Sequence, residues 1–201
     1  MSKIGIMGGT FNPIHIAHLM IAEVAYYELE LDEVWFMPSK NPPHKQNEQI
    51  VDDEHRVQMV ELAIENNPHF IFSSEELKRE GLTYTVDTLK ELVRKYPDND
   101  YYFIIGGDSL FKFNKWKEPA EILKLTTIVA FGRDHVADEQ LLNRIEELKR
   151  RYQGDIIYIK APNMDISSSL IRDLIKANKS IRYYVPKEVE DYIMKEKLYK
   201  V

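Results

Sequence analysis

The sequence predicts an α/β protein built on a doubly wound, Rossmann-like parallel sheet with helices on both faces. Two observations carry that prediction. Short runs rich in Ile, Val and Phe alternate with amphipathic helical patterns along nearly all of the 201 residues. Buried strands joined by helical crossovers make a parallel sheet covered on both sides, and right-handed crossovers wind it in both directions. Four of the eight glycines also form pairs, Gly8-Gly9 and Gly106-Gly107, each directly behind a strand-like run. Ligands in such sheets bind at the carboxyl ends of strands, where a glycine lets the backbone approach closely.

Strands are expected over residues 3–7, 33–37, 70–73, 101–105, 127–131 and 156–159, each a short apolar run bounded by turn residues. Helices are expected over 15–29, 53–65, 85–95, 120–125 and 138–151 between them. The chain closes in helices: one from Ser167 to Lys176, opened by three serines, and one near Val185-Pro186-Lys187, with Pro186 at its first position. No internal repeat or low-complexity linker divides the chain. It reads as one domain, 1–201, with a small C-terminal helical portion from about residue 165. The one long polar loop, 38–52, holds Pro-Ser-Lys-Asn-Pro-Pro-His-Lys, and loops of that length are usually functional.

Composition narrows the class of function. Apolar residues make up 44% of the chain and charged residues 30%, enough for a substantial core and no disordered stretch. There is no cysteine, so no disulfide framework and no thiolate metal site, in keeping with a reducing compartment. No secretory leader and no membrane-length apolar run are read, so a cytoplasmic protein with no membrane partner is expected. The net charge of −6 argues against nonspecific nucleic-acid binding, and an anionic ligand must meet a local basic pocket.

One such pocket is written into the first segment, where Gly8-Gly9-Thr10-Phe11-Asn12-Pro13 leads to His15-Ile16-Ala17-His18. With a helix from residue 15, both histidines share a face of its first turn, beside free backbone N–H groups and the positive end of the helix dipole. That pattern suits phosphate. It is neither Gly-x-x-x-x-Gly-Lys-Ser/Thr nor Gly-x-Gly-x-x-Gly. A single histidine there would be read as a cap; two at this spacing behind a glycine pair point to function. A zinc site needs a third ligand, and His44, His55, His69 and His135 have no supporting spacing, so no metal ligand is assigned. Ile166-Ser167-Ser168-Ser169-Leu170-Ile171-Arg172 is the second candidate. Its serines are ordinary helix caps, but with an arginine one turn in they also form an anion site.

Together the two segments carry a resemblance. The first resembles the His-x-x-His signature of the nucleotidyltransferase superfamily, and the second its Ile-Ser-Ser-Thr-x-Ile-Arg partner, with Ser169 in place of Thr. Thr83-Tyr84-Thr85-Val86-Asp87-Thr88-Leu89 and Phe103-Ile104-Ile105-Gly106-Gly107-Asp108-Ser109-Leu110 are similar to the bacterial nicotinate mononucleotide adenylyltransferase branch. The resemblance implies that ATP and nicotinate mononucleotide give deamido-NAD and pyrophosphate. A phosphate monoester dianion is already a nucleophile, so the protein needs only to position and stabilise charge.

On the same resemblance His15, His18 and Arg172 are the catalytic candidates. ATP is expected on Gly8, Gly9, Phe11, Lys40, Lys45, Gly106, Asp108, Arg133, Ile166, Ser167, Ser168 and Ser169. The mononucleotide is expected on Thr10, Asn12, Tyr84, Thr85, Asp108 and Trp116, with Trp116 stacking on the pyridine ring. Lys40 and Lys45 sit on the long loop, where solvated charges are also common. Mg²⁺ is expected on the triphosphate, with few or no protein ligands. Tyr183, Tyr184 and Val185 are the candidate contact for a homodimer. The rival readings are a phosphopantetheine adenylyltransferase, a cytidylyltransferase, or a nucleotide sensor without activity.

Overall fold

The computed structural model describes residues 1–42, 50–132, 138–162 and 164–200. Its strands are β1 (Ser2–Gly9), β2 (Glu33–Pro38), β3 (Phe70–Phe72), β4 (Asn99–Gly106), β5 (Thr127–Gly132) and β6 (Ile156–Lys160). They form a single six-stranded sheet in the order β3-β2-β1-β4-β5-β6, and every neighbouring pair is parallel. The helices are α1 (Ile16–Leu29), α2 (Asp53–Ile64), α3 (Thr85–Lys95), α4 (Gly107–Phe111), α5 (Pro119–Leu125), α6 (Asp138–Tyr152), α7 (Ser168–Lys176) and α8 (Lys187–Lys195). This is the doubly wound α/β sheet expected from the alternating pattern.

Successive side chains of a strand point to opposite faces, so each strand feeds two core layers. Val129 and Phe131 of β5 lie in one layer, and Ile128 and Ala130 in the other. The first layer is closed by Ala22 and Ala25 of α1, Met59 and Val60 of α2, Ile171 and Ile175 of α7, and Val189 and Ile193 of α8. Val86, Leu89 and Leu92 of α3, Ile122 of α5 and Ile145 and Leu148 of α6 close the second. The C-terminal helices thus share a layer with the first helix. No helix among the described residues is long and apolar enough to cross a membrane.

The strand order reverses between β1 and β4. From β1 the chain runs outward through β2 and β3, then returns to β4 on the other side and runs outward again. At such a switch point the connections leave on opposite faces and a crevice opens outside the strand ends. Gly8 and Gly9 end β1 and Gly106 ends β4, so the two glycine pairs flank that crevice.

Several boundaries differ from the sequence expectation. His15 has extended backbone (φ −148°, ψ 168°), so α1 starts at Ile16 and His15 is its N-cap. Pro186 likewise precedes α8 as its N-cap instead of occupying the first turn. The short helix α4 and a 3₁₀ turn over Phe113–Lys115 were not expected at all. Glycine at the start of α4 opposes helix propensity, and tertiary packing overrides it: Leu110 of α4 is fully buried in the second layer.

Candidate active site

The first loop of the crevice is residues 10–15, between β1 and α1. A Cβ on Gly9 would stand 3.1 Å from the Phe11 ring, tighter than an ordinary contact, so glycine lets that ring fold back over the strand end without displacement. Phe11 takes left-handed backbone (φ 48°) and is buried, as are Asn12 and His15. The Phe11 ring meets His18 edge-on, with centroids 5.1 Å apart. His15 and His18 stack at 3.7 Å with an interplanar angle of 23°. The structure therefore brings the two histidines together from the N-cap and third positions of α1.

One contact assigns a tautomer. The backbone N–H of His15 donates to Nδ1 of His18 at 3.3 Å, half of a capping box. A neutral imidazole that accepts at Nδ1 carries its proton on Nε2. His18 then presents an N–H donor beside a helix start, where the dipole already favours an anion.

The loop is held from beneath by side chains drawn from across the sequence. Arg172 of α7 donates through Nη1 to the carbonyl of Asn12 at 2.9 Å. Ser168 donates from its hydroxyl to the carbonyl of Pro13 at 2.8 Å. Ser167 is the N-cap of α7 and accepts from the Leu170 N–H at 3.1 Å. Ser169 is exposed and Ile166 half-buried at the same end of α7. The two sequence-predicted segments thus meet, and their first observed contact is with each other: Arg172 and Ser168 fix the backbone on which Asn12, Pro13 and His15 sit.

Two further supports were absent from the sequence reading. Arg56 of α2 is fully buried and donates through Nη1 to the carbonyl of Thr10 at 2.7 Å, while Nη2 pairs with Asp53. Tyr199 donates from its hydroxyl to Oδ1 of Asn12 at 3.0 Å. A signal for Arg56 did exist. It falls on the same stripe as Met59, Val60 and Ile64, the buried residues of α2, and an arginine at a core position needs a partner. For Tyr199 no local signal exists, because its partner lies 187 residues away.

Lys40, half-buried, follows β2, and the neighbouring Ser39 N–H donates to the Gly9 carbonyl at 2.8 Å, so this end of the long loop runs beside the strand end. Lys45 and Arg133 lie outside the described residues, as do His44 and His135. Gly106 is the N-cap of α4 with open space where a Cβ would stand, and Asp108 is exposed in the first turn of that helix.

The second half of the crevice gathers aromatic residues. The Trp116 ring meets Phe103 edge-on at 6.1 Å and packs against Phe113 at 5.4 Å, yet it stays half-buried. The Phe103 ring in turn lies 3.2 Å from where a Cβ on Gly8 would be, which links Trp116 to the end of β1. Tyr84 is the N-cap of α3 and Thr85 its first residue. Lys117 reaches over the Tyr84 ring at 4.8 Å and pairs with Asp87 at 2.9 Å. Behind them Arg79 donates to the Thr88 hydroxyl at 2.9 Å, and that hydroxyl donates to Glu76 at 2.8 Å. Burial pushes the Glu76 carboxyl above its ordinary range, against the opposing pull of Thr88 and Arg79.

His55 is engaged with the Tyr192 hydroxyl at 2.8 Å and His69 with Glu23 at 2.9 Å, so neither turns to the His15–His18 pair. Among the described residues no group of three or more His, Asp or Glu gathers to hold a metal. The first backbone N–H groups of α1 are not the free donors expected, since Ile16 donates to the Tyr184 carbonyl at 2.9 Å and His18 to the His15 carbonyl at 3.0 Å. The imidazoles and the helix dipole are what suit an anion here, and a cation would have to come with that anion's own oxygens.

Comparison with known proteins shows the family. Residues 6–174 match the family described as cytidylyltransferase-like. A protein of Lachnoclostridium phytofermentans named probable nicotinate-nucleotide adenylyltransferase is 49% identical over 199 residues, covering 99% of this chain and 100% of the relative. One of the same name from Carboxydothermus hydrogenoformans is 42% identical, covering 99% of this chain and 98% of the relative. Among solved structures, the Plasmodium falciparum nicotinic acid mononucleotide adenylyltransferase complexed with NaAD superposes with a TM-score of 0.82, at 24% identity and over 99% of this chain and 98% of that one. At that identity the likeness speaks for the fold.

Proposed function

This chain belongs to the cytidylyltransferase-like family and to its nicotinate-nucleotide adenylyltransferase branch, and from that premise we propose how its own residues carry the reaction. It is an adenylyl-transferring enzyme of NAD biosynthesis, joining ATP and nicotinate mononucleotide into deamido-NAD with release of pyrophosphate. The mononucleotide phosphate attacks the α-phosphorus of ATP. A new P–O bond forms, the α–β bridge breaks, and its electron pair leaves on pyrophosphate. No proton has to be removed from the attacking dianion, so the work is alignment and charge stabilisation.

The observation that carries the assignment of roles is the His15 N–H to His18 Nδ1 contact. It aims an Nε2–H donor from the start of α1, and the stacked His15 ring limits how far His18 can turn. Both histidines then serve as donors to the phosphates around the reacting centre. Arg172 and the serines 167–169 stand at the start of α7, where the leaving pyrophosphate would be received, and Gly8, Gly9 and Phe11 form the floor under the nucleotide. Lys40 and Lys45 of the long loop supply positive charge to the ATP phosphates. Gly106, Asp108, Arg133 and Ile166 complete the ATP side. Thr10 and Asn12 are assigned to the second substrate from the loop, Asn12 from a buried position, and Tyr84, Thr85, Asp108 and Trp116 form its pyridine side, with the Trp116 ring as the stacking plane. Mg²⁺ carried by ATP would offset the charge of the phosphates. We place the reaction in the cytoplasm, and exposed Tyr183 is where a second copy would dock.

Incubation with ATP, Mg²⁺ and nicotinate mononucleotide tests the reading. Pyrophosphate and deamido-NAD should appear in equal amounts. Turnover of phosphopantetheine with none of nicotinate mononucleotide would overturn it.

A further inference from the structure

We propose that Tyr199 is a positioning residue of the adenylyl-transfer site, acting through the side chain of Asn12. The inference rests on the reading above only in taking the loop of residues 10–15 as part of that site.

Asn12 is almost wholly buried, with 1% of its surface exposed. Its side-chain oxygen accepts two hydrogen bonds, from the Tyr199 hydroxyl at 3.0 Å and from the Val51 N–H at 3.4 Å. A backbone N–H can only donate, so the amide end facing Val51 and Tyr199 is the oxygen. The amide plane is thereby set, and its NH₂ end points away from the tail. The carbonyl of the same residue is held by Arg172 at 2.9 Å. Asn12 is thus pinned at both its backbone and its side chain, three residues before His15.

The Asn12 oxygen joins three segments that are distant in sequence. These are the loop behind β1, the end of the long polar loop at Val51, and the tail after α8. The tail is built to hold this contact. Tyr199 takes left-handed backbone (φ 63°), a conformation that a bulky residue keeps only when its surroundings impose it. Its ring packs against the first core layer, which leaves the hydroxyl as the one polar atom to be satisfied. Burial also pushes the phenol well above its ordinary range, against the pull of Arg172 and Arg56, so the hydroxyl stays a donor at any working pH. Tyr199 touches neither reacting atom. It sets Asn12, and through Asn12 both the histidine loop and the end of the long polar loop at Val51.

A double-mutant cycle on kcat/KM tests this. Tyr199→Phe keeps the ring and deletes only the hydroxyl. It should lower kcat/KM roughly threefold to tenfold, the worth of one buried hydrogen bond, while the thermal midpoint stays well above the assay temperature. In an Asn12→Ala background the same change should cost nothing further, because its route to the site is gone. Asn12→Ser provides a second background should Asn12→Ala fail to fold. Wild-type kcat/KM in Tyr199→Phe, or an equal loss in both backgrounds, would overturn the proposal and leave Tyr199 a packing residue. If the unsubstituted enzyme releases no pyrophosphate from ATP and nicotinate mononucleotide, the functional reading fails by itself. The same cycle is then read on the ATP dissociation constant by calorimetry, where a coupled loss supports the role and an additive loss overturns it.

Discussion

Replacing Arg56 by methionine separates a load carried by hydrogen bonds from one carried by bulk. Methionine nearly fills the volume in a site where Arg56 is 0% exposed, so the cavity contribution is small. Two interactions disappear. The carbonyl of Thr10 loses its 2.7 Å donor, and leaving a buried acceptor unpaired costs about 1–3 kcal/mol. The Asp53 carboxylate also loses its partner, but its side chain is 43% exposed and water takes over, so that part is worth no more than about 1 kcal/mol. Against both stands the relief of a charge no longer held out of water, which in other buried pairs offsets much of the loss. The balance is a destabilisation of about 1–3 kcal/mol. For a chain of this length that lowers the thermal midpoint by roughly 2–12 °C. Activity should fall as well, because the freed carbonyl belongs to Thr10, five residues before His15. Arg56→Lys should lie between, since an ammonium reaches Thr10 or Asp53 but lacks the fork to hold both. Scanning calorimetry beside a pyrophosphate-release assay reads both effects. A methionine variant with the wild-type midpoint and the wild-type rate would show that the Arg56–Thr10 contact carries nothing.

Three more outcomes follow from the site. His18→Ala removes a donor aimed at the transferring phosphate and should lower kcat by about 10²–10³, with the circular dichroism spectrum unchanged; an unaltered rate would sink the assignment. Trp116→Ala should raise the KM for the mononucleotide by roughly fivefold to a hundredfold, the worth of one stacked ring, and leave the KM for ATP nearly intact. Equal damage to both would make Trp116 structural. Glu76→Gln keeps the acceptor for Thr88 and removes an acid whose folded pKa is raised. The folded state then holds that proton more tightly than the unfolded chain, so the native protein loses stability as pH rises from the ordinary carboxylate range through the raised value. The Gln variant escapes that loss. Urea midpoints should favour it at pH 7 and converge with wild type near pH 4, and the opposite order would refute the sign.

The strands were legible because a parallel sheet buries both faces, so each one writes a run of Ile, Val and Phe that needs no context. The ends of β1 and β4 were legible too, since a glycine pair marks each, but the reversal of strand order between them was not, because strand order is set by long-range pairing. Helix α4 was not, because its first residue is a glycine and its five residues are too few to show a helical period. In the site, His15, His18, Arg172 and Ser168 could be named from local spacing, but not what they touch. The Asn12 and Pro13 carbonyls to which Arg172 and Ser168 donate lie too far off in sequence to be read from local spacing. Arg56 was passed over because a charged residue on a helix reads as solvated unless its place on the apolar stripe is counted. Trp116 stood out because a large ring in a polar segment has little core to fill, and it is indeed only half-buried.

The loop of residues 10–15 is completed by partners 155, 160 and 187 positions further along the chain. During synthesis the first strand and helix therefore leave the ribosome long before the residues that finish the loop between them. Non-local closures of this kind are late events, since loop entropy must be met before the contact returns anything. A nascent chain stopped short of Tyr199 can already pair β1 with β2, yet its loop lacks the last hydrogen bond. Nucleotide affinity in a series of arrested chains would then rise in steps, first as α7 emerges and again with Tyr199.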